Sequence, residues 1–482
     1  MAEDDDLVAA LEEDGVPPLP ADRMLALNGW SAGAALAAPV AERRARWITG
    51  LSPVARGRML APAGLDPWRW QDERLGWGLV LPEREELSVA QRARPDDAPE
   101  PIRQLFADRP GAKVLRYRTG KRLADFTLRD YTADGRRLPH IAGPTGTGPG
   151  QIPAYLLIAA SPREIPWTVQ YALNLVRNVG RLDLDEDGLA NYVTALRDGW
   201  KSASARYDSP VVWSVDDGSS ITALMRDAIG EPLAGKLRGD KDMPRTCFID
   251  GRTEPADGAA LIAALERQRP ALIVTTSHGV TPPPVDADRL GLPVDATGRP
   301  LDLARLLRDW QPDGAIWYAH ACCSAGSDGP SQYDGLFEPG SMVARALADA
   351  ATLGPRTAAL PRALLGAARP ARGFIGQVEP TFDWTLRFPA TRQRLTEDLR
   401  RTLYEELCAG RPAGYALHWV HGTVNGLQYF TEKAVKRYNE LPPGPEQDEA
   451  LDMALYHKVT GLDRTATVLL GDPTVALLPP AA

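Results

Sequence analysis

Two adjacent cysteines, Cys322 and Cys323, follow the apolar run Ala315-Ile316-Trp317-Tyr318-Ala319, and the chain then turns through Ser324, Ala325, Gly326 and Ser327. Forty-four residues before Cys322, a second apolar run, Ala271 to Val274, leads through Thr275, Thr276 and Ser277 to His278 and Gly279. A thiol attacks an acyl carbon as the thiolate, and an imidazole within reach is the base that makes it available near neutral pH. His278 and Cys322 thus have the types needed for nucleophilic acyl transfer, with Cys323 as the alternative nucleophile. Gly279 lets backbone approach a substrate carbonyl, and the N–H groups of Gly279 and Cys322 can form an oxyanion hole. The same types also have a plainer use, because cysteine is among the most buried residues and a histidine can be a satisfied core group. His278, His320, Cys322 and Cys323 offer zinc-ligand types too, but without CxxC or HxxxH spacing. His418 and His421 stand three apart on a predicted helix.

Both candidate residues need strands to deliver them. Strands are expected at Tyr155–Ala160, Val211–Val215, Cys247–Ile249, Ala271–Thr275, Ala315–Ala319 and Gly373–Val378. Helices are expected at Asp185–Trp200, Ser220–Ala228, Asp257–Arg267, Leu301–Trp310, Ser341–Ala350, Thr391–Leu407 and Gly414–Glu432, and a closing hairpin at Thr467–Leu470 and Thr474–Leu478. This alternation predicts an α/β fold, a doubly wound and mostly parallel sheet with helices on both faces. Ligands bind such sheets at the carboxyl ends of the strands, where His278 and Cys322 fall if their strands are parallel neighbours.

Residues 1–110 read as a separate N-terminal regulatory or docking segment. Leu7 and Leu11, and Met24, Leu25 and Leu27, have helical spacing; Pro67 to Trp77 is rich in Trp and Arg, and Arg92 to Pro101 resembles a linker. Residues 111–150 alternate as short antiparallel strands, with turns at Thr119 to Lys121 and at Asp134-Gly135, and end in Gly143 to Gly150, GPTGTGPG. That stretch lacks the Lys-Ser/Thr and the feeding strand of a phosphate loop and is expected to be a connector. Residues 151–482 form the main domain, and no internal repeat is visible in the sequence.

The composition, 44% hydrophobic and 24% charged over 482 residues, is globular. A net charge of −8 disfavours nonspecific nucleic-acid binding. No apolar run reaches the roughly 18 residues of a membrane span, and the acidic start MAEDDD is unlike a secretory signal, so a cytoplasmic protein without membrane contact is expected. The four cysteines, Cys247, Cys322, Cys323 and Cys408, suggest no disulfide framework.

Several motifs add to this reading: SHG at Ser277 to Gly279, the ACxxAG turn at Ala321 to Gly326, FIGQVEPTFDWT from Phe374 to Thr385, and VLLGDPTVALLP from Val468 to Pro479. On these residues the chain from about 150 to 482 resembles the caspase-like clan of cysteine peptidases, which includes caspases, gingipains and bacterial CHAT-domain proteases. The resemblance implies a caspase-hemoglobinase type of sheet and a cysteine endopeptidase with His278 as general base, Cys322 as nucleophile and Cys323 as its neighbour. It implies a thioester intermediate released by water, a protein or peptide substrate, and no metal or organic cofactor. The caspase QACRG context is absent, so the caspase preference for aspartate is not carried over. A basic substrate side chain would need a buried carboxylate near the thiol, and Asp328, Asp334, Glu338, Glu379 and Asp383 are the candidates, Asp328 first, with Trp384 as a pocket wall. A backbone carbonyl or an acid such as Asp250 would orient His278. The competing expectation is a catalytically silent caspase-like scaffold or protein-interaction module, with residues 1–110 recruiting a regulatory partner.

Overall fold

In the computed structural model, structure is described for residues 65–482 apart from 121–125, 133–136, 282–285 and 478–482, together with the backbone of two earlier strands. The chain divides into two compact units, Met1–Leu65 and Asp66–Ala482. In the first, β1 (Met24–Ser31) pairs antiparallel with β2 (Ala34–Pro39), so Met24, Leu25 and Leu27 lie in a strand and not on a helix. Periodicity alone does not separate strand from helix in so short an apolar run, and here the apolar stretch that follows supplies a pairing partner. Leu7 and Leu11 lie outside the described residues, as does the Asp134-Gly135 turn.

The strands of the second unit are β3 (Trp77–Pro82), β4 (Lys113–Tyr117), β5 (Arg129–Asp130), β6 (Tyr155–Ala159), β7 (Asn178–Leu182), β8 (Val211–Ser214), β9 (Cys247–Asp250), β10 (Leu272–Thr276), β11 (His278–Gly279), β12 (Pro293–Val294), β13 (Ile316–His320), β14 (Gly326–Ser327), β15 (Arg356–Thr357), β16 (Gly373–Gln377) and β17 (Thr467–Gly471). Eleven of them form one sheet in the order β5-β4-β3-β6-β7-β17-β16-β13-β10-β8-β9. Strands β9, β8, β10, β13 and β16 are mutually parallel. So are β4, β3, β6, β7 and β17. The two sets run in opposite directions and meet at the antiparallel β16–β17 pair, Gly373↔Gly471 to Gln377↔Thr467. Taking the parallel strands alone, both halves wind alike: the second strand lies outside the first, and the third and fourth follow on the other side; β5 adds antiparallel outside β4.

Successive strand residues feed two different cores. Trp213, Ile273 and Trp317 pack on one face with Leu261, Ile262 and Leu265 of the helix Gly258–Gln268. Val212, Leu272, Val274, Ile316 and Tyr318 pack on the other with Leu224, Ile229, Leu233 and Leu237. Burial on both faces is why these parallel strands read as unbroken apolar runs.

Of residues 1–110, expected to stand apart, the part from Asp66 onward belongs to the second unit and supplies a strand to this sheet. β3 lies between β4 and β6, and Trp77 is buried, its indole N–H donating to Asp472 at 3.2 Å. The stretch read as a linker instead carries the start of the helix Glu100–Ala107 and serves the buried Arg116 guanidinium, which donates to the Arg92 and Arg94 carbonyls and to both oxygens of Asp97. Near Gly150, the Gly148 and Gln151 carbonyls both accept from the Lys113 ammonium at 2.8 Å, a cation cradle of polarity opposite to a phosphate loop. The expected closing hairpin is absent because β17 pairs with β16 and β7, while Asp472 after it binds Arg109 at 3.2 Å and accepts from Thr474 N–H at 2.9 Å. A long helix that the periodicity did not suggest, Pro445–Thr465, packs against the helix Val424–Glu440. No helix among the described residues is long and apolar enough to cross a membrane.

Where β7 lies beside β17, a Cβ on Gly180 would lie 2.1 Å from the Gly471 carbonyl oxygen. Gly180→Ala is therefore expected to destabilise the protein by about 1–3 kcal/mol through overpacking against backbone that cannot rotate away. A denaturation midpoint equal to wild type would contradict this.

Candidate active site

The register of β10 against β13 runs from Leu272↔Ile316 to Thr276↔His320, and His278 and Cys322 each lie two residues beyond that last pair. On its other side β10 pairs with β8, Thr276 opposite Ser214. The winding reverses between β8 and β10, so the residues collect at the carboxyl edge beside a topological switch point. After β10 the chain enters β11, which pairs with β12 and lies against the nucleophile turn: a Cβ on Gly279 would sit 2.0 Å from the Cys322 carbonyl oxygen. Gly291, with φ +70°, makes the equivalent approach to Cys323, its Cβ position lying 2.0 Å from the Cys323 carbonyl oxygen. Backbone contact this close admits only glycine.

His278 is partly exposed. Its Nε2 lies 3.4 Å from Asp217 Oδ2 and 3.2 Å from Ser219 Oγ. Asp217 accepts from the Thr222 hydroxyl at 2.7 Å and from the Ser219 N–H at 3.0 Å. Burial raises the Asp217 pKa, but those hydrogen bonds and the nearby His278 outweigh it and hold the carboxyl at about 2. An ionised carboxylate on one ring nitrogen fixes the imidazole and stabilises its protonated form. Asp250 does not fill this place: its two oxygens are taken by Arg226 at 2.8 and 2.6 Å. The sequence does not single out Asp217, because Asp216-Asp217-Gly218 reads as a solvated turn; the available signal is its position just past an apolar strand that ends on the same edge.

The two thiols part company at Cys323, whose φ of +56° is left-handed. That conformation costs a non-glycine residue about 1–2 kcal/mol. It leaves Cys322 half-buried at the edge and sends Cys323, fully buried, among Leu290, Ala350 and Leu353. The Cys323 N–H donates to the Glu379 carbonyl at 2.9 Å. Among the described residues the Cys322 N–H has no hydrogen-bond acceptor in another residue, as an oxyanion donor requires. The Thr381 N–H donates to Cys322 Sγ at 3.4 Å, and Sγ lies 3.8 Å from the Thr381 carbonyl oxygen. Burial pushes the Cys322 thiol up to about 11, and that of Cys323 well above its ordinary value.

The structure sorts the candidate acids. Asp328 and Glu379 are buried, and burial raises the pKa of each. Glu379 accepts from the Ser331 hydroxyl and, at 3.2 Å, from the Gln332 N–H; Asp328 accepts from the Gly329 N–H at 2.9 Å. Asp334 and Glu338 are exposed, and Asp383 lies 3.9 Å from Arg387. Trp384, like Phe337 and Phe382, packs against the cluster of Tyr333, Leu347 and Val459; it does not line the neighbouring groove of about 610 Å³, whose walls include Tyr333, Asp334, Phe337 and Leu347. A third buried acid, Asp463 on the helix Pro445–Thr465, was not anticipated. Burial lifts it to about 6 against hydrogen bonds from Thr385, Thr381 and Phe382. Among the described residues none of Asp328, Glu379 and Asp463 has a cationic partner within 4.0 Å, and the buried hydroxyls of Tyr171 and Tyr333 have no hydrogen-bond partner.

No three His, Cys, Asp or Glu side chains among the described residues converge as metal ligands. His320 shares a 2.8 Å hydrogen bond with the Tyr318 hydroxyl, while His418 and His421 are bonded separately to the Tyr415 and Thr467 carbonyls. No protein-family model matches the chain, and no curated protein is significantly similar to it.

Proposed function

We propose that this chain is a caspase-like cysteine endopeptidase that works through His278 and Cys322 and prefers a basic side chain before the cut bond. The observation that carries the reading is the alignment of His278 and Cys322 beyond Thr276↔His320, with Gly279 lying directly on the Cys322 backbone. His278 takes the Cys322 proton and the thiolate attacks the scissile carbonyl, whose developing charge is met by the Cys322 and Gly279 N–H groups. Asp217 holds the imidazolium, which returns the proton to the leaving amine; water then attacks the thioester with His278 again as base. The motifs at Ser277 to Gly279 and Ala321-Cys322 support the same roles. Glu379 and Asp328 favour a cationic side chain, because a guanidinium or ammonium would supply the partner these buried carboxylates lack.

The test is covalent capture. A peptidyl arginyl chloromethyl ketone is expected to modify Cys322, read by peptide mass spectrometry, whereas the aspartyl analogue is not. Glu379→Gln is expected to slow capture about tenfold to a hundredfold, the effect of losing a hydrogen-bonded charge partner. Capture at Cys323 would reassign the nucleophile, and equal capture by both reagents would remove the basic preference. A second reading, a catalytically silent interaction module, is favoured by the raised pKa of the Cys322 thiol. It requires that neither reagent modify Cys322 even when the loop at Thr381 is released.

A further inference from the structure

We propose that the segment Thr381–Thr385 is a strap that keeps the Cys322 thiol closed, and that the buried carboxylate of Asp463 is its latch. The proposal takes Cys322 as the nucleophile from the reading above, while its test follows thiol reactivity and needs no peptide cleavage.

Backbone pairing fixes the chain up to Glu379, whose carbonyl accepts from Cys323 N–H at 2.9 Å and whose N–H donates to the Gly326 carbonyl at 3.3 Å. Beyond it, among the described residues and apart from the local bonds of Asp383 to Leu386 and Arg387, the polar ties of Thr381–Thr385 run to two groups. One is the Cys322 sulfur, which the Thr381 N–H and carbonyl approach at 3.4 and 3.8 Å. The other is Asp463 Oδ2, which accepts from the Thr381 hydroxyl at 2.7 Å, from the Phe382 N–H at 3.2 Å, and from the Thr385 hydroxyl. Phe382 and Trp384 add aromatic contacts, Phe382 to Tyr333 at 4.9 Å between ring centres and Trp384 to Tyr456 at 6.2 Å. One carboxylate oxygen therefore gathers three donors from the strap, while the other, Oδ1, is buried with no hydrogen-bond partner. A buried charge served so unevenly is costly, and it is kept here at the point where a loop lies over a thiol.

A scissile carbonyl carbon has to come within about 3–3.5 Å of the sulfur to react. The Thr381 peptide already lies against that sulfur, so substrate entry requires the strap to withdraw. Asp463 belongs to the helix Pro445–Thr465, which contributes neither His278 nor Cys322. The site can thus be opened from an element outside the catalytic strands.

The experiment measures iodoacetamide alkylation of Cys322 at pH 8 by peptide mass spectrometry, with Cys408, buried in an apolar core, as internal reporter of unfolding. Thr381→Val with Thr385→Val removes two donors and keeps side-chain shape, and is expected to raise the Cys322 rate about tenfold with Cys408 unchanged. Thr385→Val alone leaves two donors in place and guards against loss of the fold; it is expected to raise the Cys322 rate by a smaller factor. A Cys322 rate within about twofold of wild type in both variants overturns the latch, as does a parallel rise at Cys408 in both. Failure of arginyl capture alongside faster alkylation in the double variant would instead sink the peptidase reading and leave the strap standing.

Discussion

Alanine at Cys322 is expected to lower kcat/KM for an arginine-containing peptide by more than about 10⁴-fold, the scale seen when a covalent nucleophile is removed. Alanine at Cys323 is expected to leave kcat/KM within about tenfold of wild type, because it trims one sulfur from an apolar cluster and touches no reacting atom. His278→Ala falls between them, losing the roughly 10²–10⁴-fold that a positioned general base contributes. The ordering follows from the left-handed turn at Cys323, which keeps one thiol at the sheet edge and buries the other against Leu290, Ala350 and Leu353. Kinetics should be run in the wild type and in the Thr385→Val background, so that a closed strap is not mistaken for an absent dyad. Activity that survives at Cys322→Ala and vanishes at Cys323→Ala would reverse the assignment.

The second large effect is expected at a residue that carries no chemistry. A methyl group on Gly279 would stand 2.0 Å from the Cys322 carbonyl oxygen and 2.9 Å from both its carbonyl carbon and its nitrogen. Three backbone atoms cannot yield by a side-chain rotation, so the two strand ends must move apart by an ångström or more. A displacement of about 1 Å in reacting groups costs on the order of 10²-fold in rate, and the overpacking about 1–3 kcal/mol in stability. Gly235→Ala is the matched control: apart from its chain neighbours and the backbone of its own helix, no atom lies within 4 Å of the added carbon. It is expected to be neutral or to stabilise by up to about 1 kcal/mol. Gly279→Ala with wild-type kcat/KM and an unchanged unfolding midpoint would show that the two strand ends are not held as described.

How much of this was legible in the chain depends on how local each feature is. β10 and β13 were readable because burial on both faces leaves parallel strands as plain apolar runs, and a histidine or cysteine just past such a run announces itself. β3 was not, since it follows a Trp- and Arg-rich stretch and its partners β4 and β6 lie far along the chain. The helix Pro445–Thr465 was hidden by a sequence polar over its first turns, PEQDEALD, although Pro445, Glu446 and Asp448 are suitable first-turn residues. With that helix unseen, Asp463 had no address. Glu379 was named among several loop acids, and nothing in its neighbours along the chain distinguishes it from the exposed Asp334. Burial is set by the element that closes over a residue, and in both cases that element comes from elsewhere in the sequence.

The seam at β17 has a consequence for biosynthesis. β17 comes after the other ten strands of this sheet in chain order, yet it lies at the middle of the eleven, between β7 and β16. Until residues 467–471 leave the ribosome, the two half-sheets can form but cannot join, and β7 and β16 each present an open edge to solvent. The nascent chain is therefore expected to need its longest protection from aggregation at the interior strands of this sheet, and to lose that need in the single step that seats β17.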